Sequence, residues 1–432
     1  MARFVSFIHA AQDIADFRCD FPEHEFFHVS QNAIPGLGAV IRLGFVEQTI
    51  AELKEQHATR PFAGIVFGSS PELYVKNADQ AARALGLRRF LSDPELVRDK
   101  YAMRLALAGN VACPQTRVVS EAMVAANLPD FKFPCVLKPR HGFGSMCVFK
   151  ARNREELAAA QKGMQAAMAF VARRHPLAIP TNDMLLEDFV GGTEHNIELF
   201  LDGGRPLLEI VSDKLPMQPP FFVKTGHVMP SRLPIEAVEK VKAAARGAAD
   251  AVGIEWGWAH AEVKLEHGVA HVIEIAARPG GGYTREMVRI AYNIDMRRTL
   301  IDGHIGIYPD PLPAPINTIF GRNVVCRGIE LVLSISGLGA AKKTKEFQVV
   351  TNNFHGVPKI FIGPPLSFNN TIMSFFVFSP CSAKAESFFE KFDAQIGAIK
   401  LRLPSPGLAA LSVLFRPLLG LSRRRLKRGG LV

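Results

Sequence analysis

Two glutamates carry the clearest chemical signal in this chain. Glu262 and Glu274 lie at equal distances on either side of Gly268 in the segment AHAEVKLEHGVAHVIEIAARPGGG, residues 259–282. The segment predicts a β-hairpin. A three-residue loop with Gly268 in the left-handed conformation sets the two glutamates directly across from each other. Strand alternation then puts His260, Glu262 and Lys264 on one face, opposite Ala276, Glu274 and Val272, with Arg278 further along. The other face, with Ala259, Ala261, Val263, Leu265, Ile273, Ile275 and Ala277, reads as core. Like charges opposed across strands are unfavourable by up to about 1 kcal/mol, so something must offset them. One answer is a hard cation held by one or two carboxylates and substrate phosphates. The other is a solvated face on which Lys264 and Arg278 neutralise the glutamates. The run Arg278-Pro279-Gly280-Gly281-Gly282 favours the first, because glycines beside an arginine let backbone amides approach an anion closely.

A second element points to phosphate. Lys138 ends the apolar segment FPCVLKP (133–139), and His141-Gly142-Phe143-Gly144-Ser145 follows at once. A lysine is a compact point charge, and a Gly/Ser turn offers N–H groups to phosphate oxygens. No GxxxxGK[ST] loop and no GxGxxG fingerprint occurs, so neither a Walker A site nor a Rossmann dinucleotide site is indicated.

These residues need elements to hold them. FAGIVFGSS (62–70) followed by PELYVKNADQAARALGL reads as a strand feeding a helix, which implies a parallel sheet. Residues 10–60 are irregular. SDPELVRDKYAMRLALAGN (92–110) predicts one helix capped by Ser92, with Pro94 and Glu95 in its first turn. FPCVLKP and CVFKA predict strands around the glycine turn, and NREELAAAQKGMQAAMAFVARR a long helix. MLLEDFV and HNIELFLDGG predict two more strands, and IEAVEKVKAAARGAADAVG (235–253) another helix. Beyond residue 305 the pattern weakens to short strands with many Pro and Gly.

A hydrophobic content of 48% and a charged content of 21% over 432 residues fit a globular protein of two or three domains. The formal charge of +10 is concentrated: eight basic residues and no acidic ones lie between Ala394 and Val432, which leaves the rest near +2. The body therefore gives no reason to expect nucleic acid. Six cysteines without CxxC or zinc spacing read as reduced, mostly buried thiols. The N-terminus lacks a signal-peptide pattern, and no apolar run of about 20 residues predicts a membrane span. A cytoplasmic enzyme is the expectation. The tail GLAALSVLFRPLLGLSRRRLKR (407–428) reads either as a solvated terminus or as a peripheral membrane contact.

Taken together, the ordered motifs resemble the ATP-grasp superfamily, and within it the carboxylate–amine ligases of the L-amino acid and dipeptide type. The set is a helix with Asp99, Lys100 and Arg104, then PCVLKPRHGFGS, LLEDFVGGTE, GWAHAEVKL and IEIAARPGGG. The resemblance implies an α/β fold: an N-terminal parallel-sheet domain (1–98), an ATP-grasp region (99–305) with a lid lobe (about 112–185) and a catalytic lobe (about 186–305), a small β-rich lobe (306–403) and a basic apolar tail (404–432). It implies ATP and Mg²⁺, with Mn²⁺ as a substitute, and small-molecule carboxylate and amine substrates. Dimers are frequent in the resembled family, so a homodimer stays open.

By the same resemblance Lys100 and Lys138 hold phosphates, with Gly142, Gly144 and Ser145 in the loop that closes over them. Glu187 accepts from the adenine amino group, Phe189 and Val190 form the hinge, and Glu194 binds ribose. Glu262 and Glu274 are the metal ligands. Arg278 stabilises the acyl phosphate, with Lys138 the second catalytic cation. Gly280, Gly281, Gly282, His227, Lys224 and Arg285 fall to the substrate.

Two positions depart from the family pattern. Ala276 stands where an asparagine usually completes the metal shell. Lys224, in FFVKTGHVMPS (221–231), replaces an acid three residues before His227. If that acid meets a substrate ammonium, Lys224 repels one, and the activated acid lacks a free α-amino group or carries an extra anion; a solvent-facing Lys224 is the other reading. Ligation to a thiol or activation of bicarbonate, and a nucleotide-binding regulator without catalysis, remain the competing functions.

Overall fold

The computed structural model describes residues 1–8, 11–30, 41–42, 46–67, 72–120, 132–142, 144–145, 147–174, 183–217, 222–326, 328–356, 358–362 and 371–402. The 407–428 tail, Phe143 and Met146 lie outside these.

The N-terminal part is a parallel sheet in the order Ile41–Arg42, Glu25–Ser30, Arg3–Ile8, Gly64–Phe67. Phe4, Val5, Phe7 and Ile8 are all buried, the continuous apolar run expected of a strand covered on both faces. Gly64–Phe67 and the helix Glu72–Leu85 match the expected strand–helix unit. The stretch that looked irregular contains the helices Ala11–Asp20 and Val46–Thr59 and the strand Glu25–Ser30. Among its described side chains the first of these helices buries only Asp13, Ile14 and Phe17, so its apolar periodicity is faint.

The helix expected over 92–110 is two helices, Glu95–Arg98 and Lys100–Leu107. Asp99 breaks it. Its backbone is extended (φ −90°, ψ 106°), and its carboxylate accepts from Tyr101 N at 2.9 Å and Ala102 N at 3.4 Å. The same carboxylate takes Arg140 Nε at 2.8 Å. An aspartate that satisfies orphan amides at a helix start is a strong N-cap. Ser92, the expected cap, instead donates its backbone N–H to Gly253 O. The break sets Lys100 at the first position of the second helix.

A four-stranded antiparallel sheet follows, in the order Thr116–Val119, Met184–Asp188, Cys135–Pro139, Phe149–Ala151. The helix Arg154–Arg174 packs on it through a small core that includes Leu137, Phe149, Met164 and Leu186. An eight-stranded antiparallel sheet forms the main body. Its order is Val269–Ala276, Trp256–Glu266, Thr193–Asp202, Arg205–Lys214, Gly226–Met229, Thr318–Val325, Thr371–Ser379, Phe347–Asn352. One face buries Ile197, Leu199, Ala259, Ala261 and Val263 against the alanine-rich helix Ile235–Ala251. The last three strands come from beyond residue 305, so the sheet continues across the expected lobe boundary. Their residues read weakly because two of them, Thr318–Val325 and Thr371–Ser379, mix polar and apolar side chains on both faces.

All six cysteines are free; Cys135, Cys147 and Cys326 are buried, Cys113 is half-buried, and Cys19 and Cys381 are exposed. Among the described residues no helix is long and apolar enough to cross a membrane.

Gly192 joins the two sheets at a close approach. It has φ +71°, and an added Cβ would lie 2.0 Å from Leu265 O. Gly203, in the turn after Thr193–Asp202, has φ +56° and open space around it. Gly203→Ala should therefore cost about 1–2 kcal/mol for the left-handed backbone alone. Gly192→Ala should cost at least about 3 kcal/mol, because backbone must also shift. Urea unfolding of both variants measures the difference.

Candidate active site

The paired glutamates are set by a device the sequence pattern did not reveal. The turn has two residues, His267 (φ +50°) and Gly268 (φ +78°), both left-handed as a primed hairpin turn requires. From it the strands pair Glu266 with Val269, Lys264 with His271 and Val263 with Val272. Continued unbroken, that register would put Glu262 opposite Ile273. A shift between Glu262 and Val263 restores the Glu262–Glu274 pair. One extra residue on the second strand is a β-bulge. It also reverses two expectations: Val272 is fully buried in the core, and Ile273 lines the cleft. Arg104 Nη2 donates to Ile273 O at 2.5 Å, and Val272 N donates to Ala112 O at 2.8 Å.

A third strand completes the face. Thr193–Asp202 pairs with Trp256–Glu266 so that Glu194 faces Lys264, Asn196 faces Glu262 and Glu198 faces His260. These side chains, except Glu198, line a cleft of about 530 Å³ between the two antiparallel sheets. Glu198 lies behind it, 1% exposed. It accepts from His260 Nδ1 at 2.5 Å and from Gly280 N at 2.9 Å. Gly280 was expected to offer its amide to a substrate carboxylate; that amide is already used. The position also needs glycine, since a Cβ would lie 2.5 Å from Glu198 Oε1. Gly281 and Gly282 do line the cleft, and Gly281 O accepts from Thr284 Oγ1 at 3.0 Å.

Cations hold both cleft carboxylates ionised. Lys214 Nζ lies 3.0 Å from Glu262 Oε2, Lys224 Nζ 3.5 Å and His260 Nε2 3.7 Å from Glu262 Oε1. Lys100 Nζ lies 3.3 Å from Glu274 Oε1. Burial alone would raise the pKa of Glu262, but Lys214 and Lys224 outweigh it and hold the carboxyl well below its ordinary value. Burial also opposes ionisation of Glu274, as Glu262 does; Lys100, with Lys138 and Arg278, brings it below the ordinary value. Lys214, between Glu262 and Glu194, is pushed down by burial but held above its ordinary value by these two carboxylates.

The phosphate lysines converge on the same region. Lys100 Nζ donates to Gly142 O at 2.5 Å, which ties the helix start to the glycine turn. Gly142 (φ +144°), Gly144 (φ +65°) and Ser145 (φ +57°) line the cleft. Lys138 Nζ lies 2.6 Å from Glu187 Oε2, while Glu187 Oε1 accepts from Arg104 Nε and Thr116 Oγ1, each at 3.0 Å. The carboxylate expected to read an adenine amino group thus has both oxygens engaged by its neighbours. Burial pushes Lys138 down to about 8, with Arg104 adding to the effect and Glu187 opposing it. Burial would raise Glu187, but Arg104 and Lys138 hold it below its ordinary value.

At the other end lie the expected hinge residues. Phe189 N donates to Pro134 O at 3.3 Å, and Val190 O accepts from Lys264 Nζ at 2.6 Å. The Phe189 ring has Lys150 Nζ 3.5 Å and Lys264 Nζ 4.6 Å from its centroid, a cation–π arrangement. Glu194 forms an ion pair with Lys214.

Towards the outer sheet strands the cleft is lined by Arg278, Lys224 and His227. Lys224 points at Glu262 rather than away from the protein. His227 is pushed well below its ordinary pKa by burial, with Lys214 and Lys224 adding, so its ring is neutral; Asn196 Nδ2 donates to its Nδ1 at 3.2 Å. Ala276, buried beside His260, lines the same wall. Arg285 is not among the lining residues; its charged neighbours are Arg297, Asp13, Asp295 and Asp16. Sequence reasoning missed Asn323, Thr351, Asn353, Thr371 and Ser374, which close this end. They carry no motif, and only the sheet order brings them to the site.

The model of the ATP-grasp domain family matches residues 131–286. Carnosine synthase 1 of Gallus gallus is 32% identical over 206 residues, 46% of this chain and 21% of that protein. Alanine–anticapsin ligase of Bacillus subtilis is 27% identical over 258 residues, 56% of this chain and 54% of that protein. The chain therefore matches about a fifth of the carnosine synthase and about half of the anticapsin ligase. The crystal structure of an L-amino acid ligase from Bacillus licheniformis superposes with a TM-score of 0.71 over 93% of this chain and 99% of that one, at 20% identity. That likeness is one of fold.

Glu187→Gln should destabilise the protein by about 3–5 kcal/mol, since it leaves Arg104 and Lys138 buried without their anion. Because the folded pKa of Glu187 is lowered, its stabilisation is present above about pH 4.3, the unfolded value. It is lost as pH falls through the folded value. Urea midpoints from pH 7 downward should converge for wild type and variant at the acid end.

Proposed function

Given an ATP-grasp domain over residues 131–286, we propose that the chain is an ATP-dependent ligase that activates a carboxylate as an acyl phosphate and joins it to an amine. The observation that carries this is the face-to-face pair Glu262 and Glu274, flanked by Lys100, Lys138 and Arg278 in one cleft.

The residues present fit a Mg²⁺ or Mn²⁺ ion. Two ionised carboxylates oppose each other, and beside Glu262 the buried Asn196 Oδ1 has no hydrogen-bond partner among the described residues. These are hard oxygen donors of the kind such ions take. When bound, the ion neutralises the charge of the β- and γ-phosphates. Glu262 and Glu274 would hold it, and Lys100, Lys214 and Lys224 keep them ionised until it arrives.

Phosphoryl transfer asks the protein for position and charge more than for covalent chemistry. Lys100 and Lys138 neutralise phosphate oxygens, and the turn through Gly142, Gly144 and Ser145 borders the same space. The substrate carboxylate oxygen attacks the γ-phosphorus, the bond to the β-phosphate oxygen breaks, and ADP leaves. The amine nitrogen then attacks the acyl carbon, the carbon–oxygen bond to phosphate breaks, inorganic phosphate leaves, and the nitrogen gives up a proton to solvent. Arg278, Gly281 and Gly282 border the place where negative charge develops, and Arg278 stabilises it.

Mg²⁺-dependent ADP release against a matrix of carboxylic acids and amines tests the reading. It predicts release that needs one acid with one amine, and a loss of at least about 100-fold in Glu274→Ala. Retained ATP binding with no release for any pair would favour a nucleotide-binding regulator. ATP affinity should also hold up to about pH 8 and fall above it, by at most about tenfold per pH unit, as Lys138 loses its proton in the free protein. Calorimetric titration from pH 7 to 10 measures this.

A further inference from the structure

We infer that the carboxylic acid taken by this cleft carries no ammonium group, that its other polar groups are hydroxyl, carbonyl or carboxylate, and that Lys224 selects for it. The inference rests on the ligase reading above and names the substrate class of that site.

The charge around the outer end of the cleft is one-sided. Beyond Glu262 and Glu274 the polar part of the wall includes Arg278, Lys224, the neutral His227, Asn323, Asn353 and Ser374. None of the described residues lining this end is an Asp or Glu. Glu262 cannot serve a substrate cation as a free anion, since Lys214 lies at 3.0 Å and Lys224 at 3.5 Å. An ammonium group bound here would face two cations with no carboxylate of its own, the repulsive element on which discrimination between near-isosteric ligands depends.

Lys224 is held where it can act. Asn323 Nδ2 donates to Lys224 O at 3.0 Å, and Asn323 N donates to Thr225 O at 2.8 Å, so the strand Thr318–Val325 fixes the segment that carries it. Its side chain is 37% exposed with Nζ turned into the cleft. The neutral residues are equally anchored. Ser374 Oγ donates to Asn323 Oδ1 at 2.7 Å, and Asn353 Nδ2 donates to Thr371 O at 2.9 Å. A wall of fixed amides and hydroxyls around a lysine suits oxygen-bearing groups, neutral or anionic.

Hydroxylamine makes the test independent of the natural amine. The acid oxygen attacks the γ-phosphorus and ADP leaves. The hydroxylamine nitrogen then attacks the acyl carbon, the carbon–oxygen bond to phosphate breaks, the nitrogen loses a proton to solvent, and inorganic phosphate leaves with a hydroxamate as product. Full-length protein with ATP and Mg²⁺ is given matched pairs: lactate and alanine, glycerate and serine, malate and aspartate. In each reacting pair the hydroxy acid should exceed the amino acid in kcat/KM by at least about tenfold. Lys224→Glu should reverse the order, and Lys224→Gln should bring the two members close together. Calorimetric ATP binding verifies that both variants fold. A wild-type preference for the amino acids, or an order unchanged in folded Lys224→Glu, overturns the inference and leaves the ligase intact. No hydroxamate from any acid while ATP binds overturns the ligase reading, and this inference with it.

Discussion

The repulsion between Glu262 and Glu274 is the constraint around which the site is organised. Two half-buried carboxylates facing each other on adjacent strands cannot both stay ionised unless cations surround them. Lys214 and Lys224 supply that charge for Glu262, and Lys100 supplies it for Glu274. Each lysine comes from a different element: a helix start, a sheet strand and the segment before the strand Gly226–Met229. Bringing them together requires the Asp99 cap, the ordering of the large sheet and the contact of Lys100 with the glycine turn. The fold thus keeps the pair anionic, as the proposed cation site requires.

The same logic explains the buried charges in and behind the cleft wall. Glu187 sits between Arg104 and Lys138, and Arg104 also holds the bulged carbonyl of Ile273. One arginine therefore links the lysine of the small sheet to the bulge that fixes the glutamate register. Glu198 has a parallel place, joining His260 to the amide of Gly280 and so setting where the Arg278 loop begins. Truncating either carboxylate removes a positioning contact and strands a buried partner.

Much of this was legible in the chain. Equal spacing about Gly268 predicted the glutamate pair, and the pairing came out right because the one-residue bulge offsets the shorter turn. The loop length and the faces of Val272 and Ile273 were misread, because a bulge moves side chains between faces without changing composition. The helix over 92–110 was split by Asp99, a cap that reads equally well as a helix-interior acid. The glycine turn drew attention to Lys138 and the resemblance to Lys100 and Lys224, and the structure brings them to one cleft. It did not reveal that the carboxylate of Glu187 and the amide of Gly280 are already engaged. The outer wall was illegible, since Asn323, Asn353 and Ser374 reach the cleft only through the order of strands that are distant in sequence.

The central claim is that Glu262 and Glu274 form a divalent-cation site. Electron paramagnetic resonance of Mn²⁺ titrated into the ADP complex tests it most directly, with wild type, Glu262→Gln and Glu274→Gln compared. The account predicts a protein-bound Mn²⁺ signal in wild type that is weakened at least about tenfold in each variant. Equal Mn²⁺ binding in all three proteins, with ADP still bound, would contradict it.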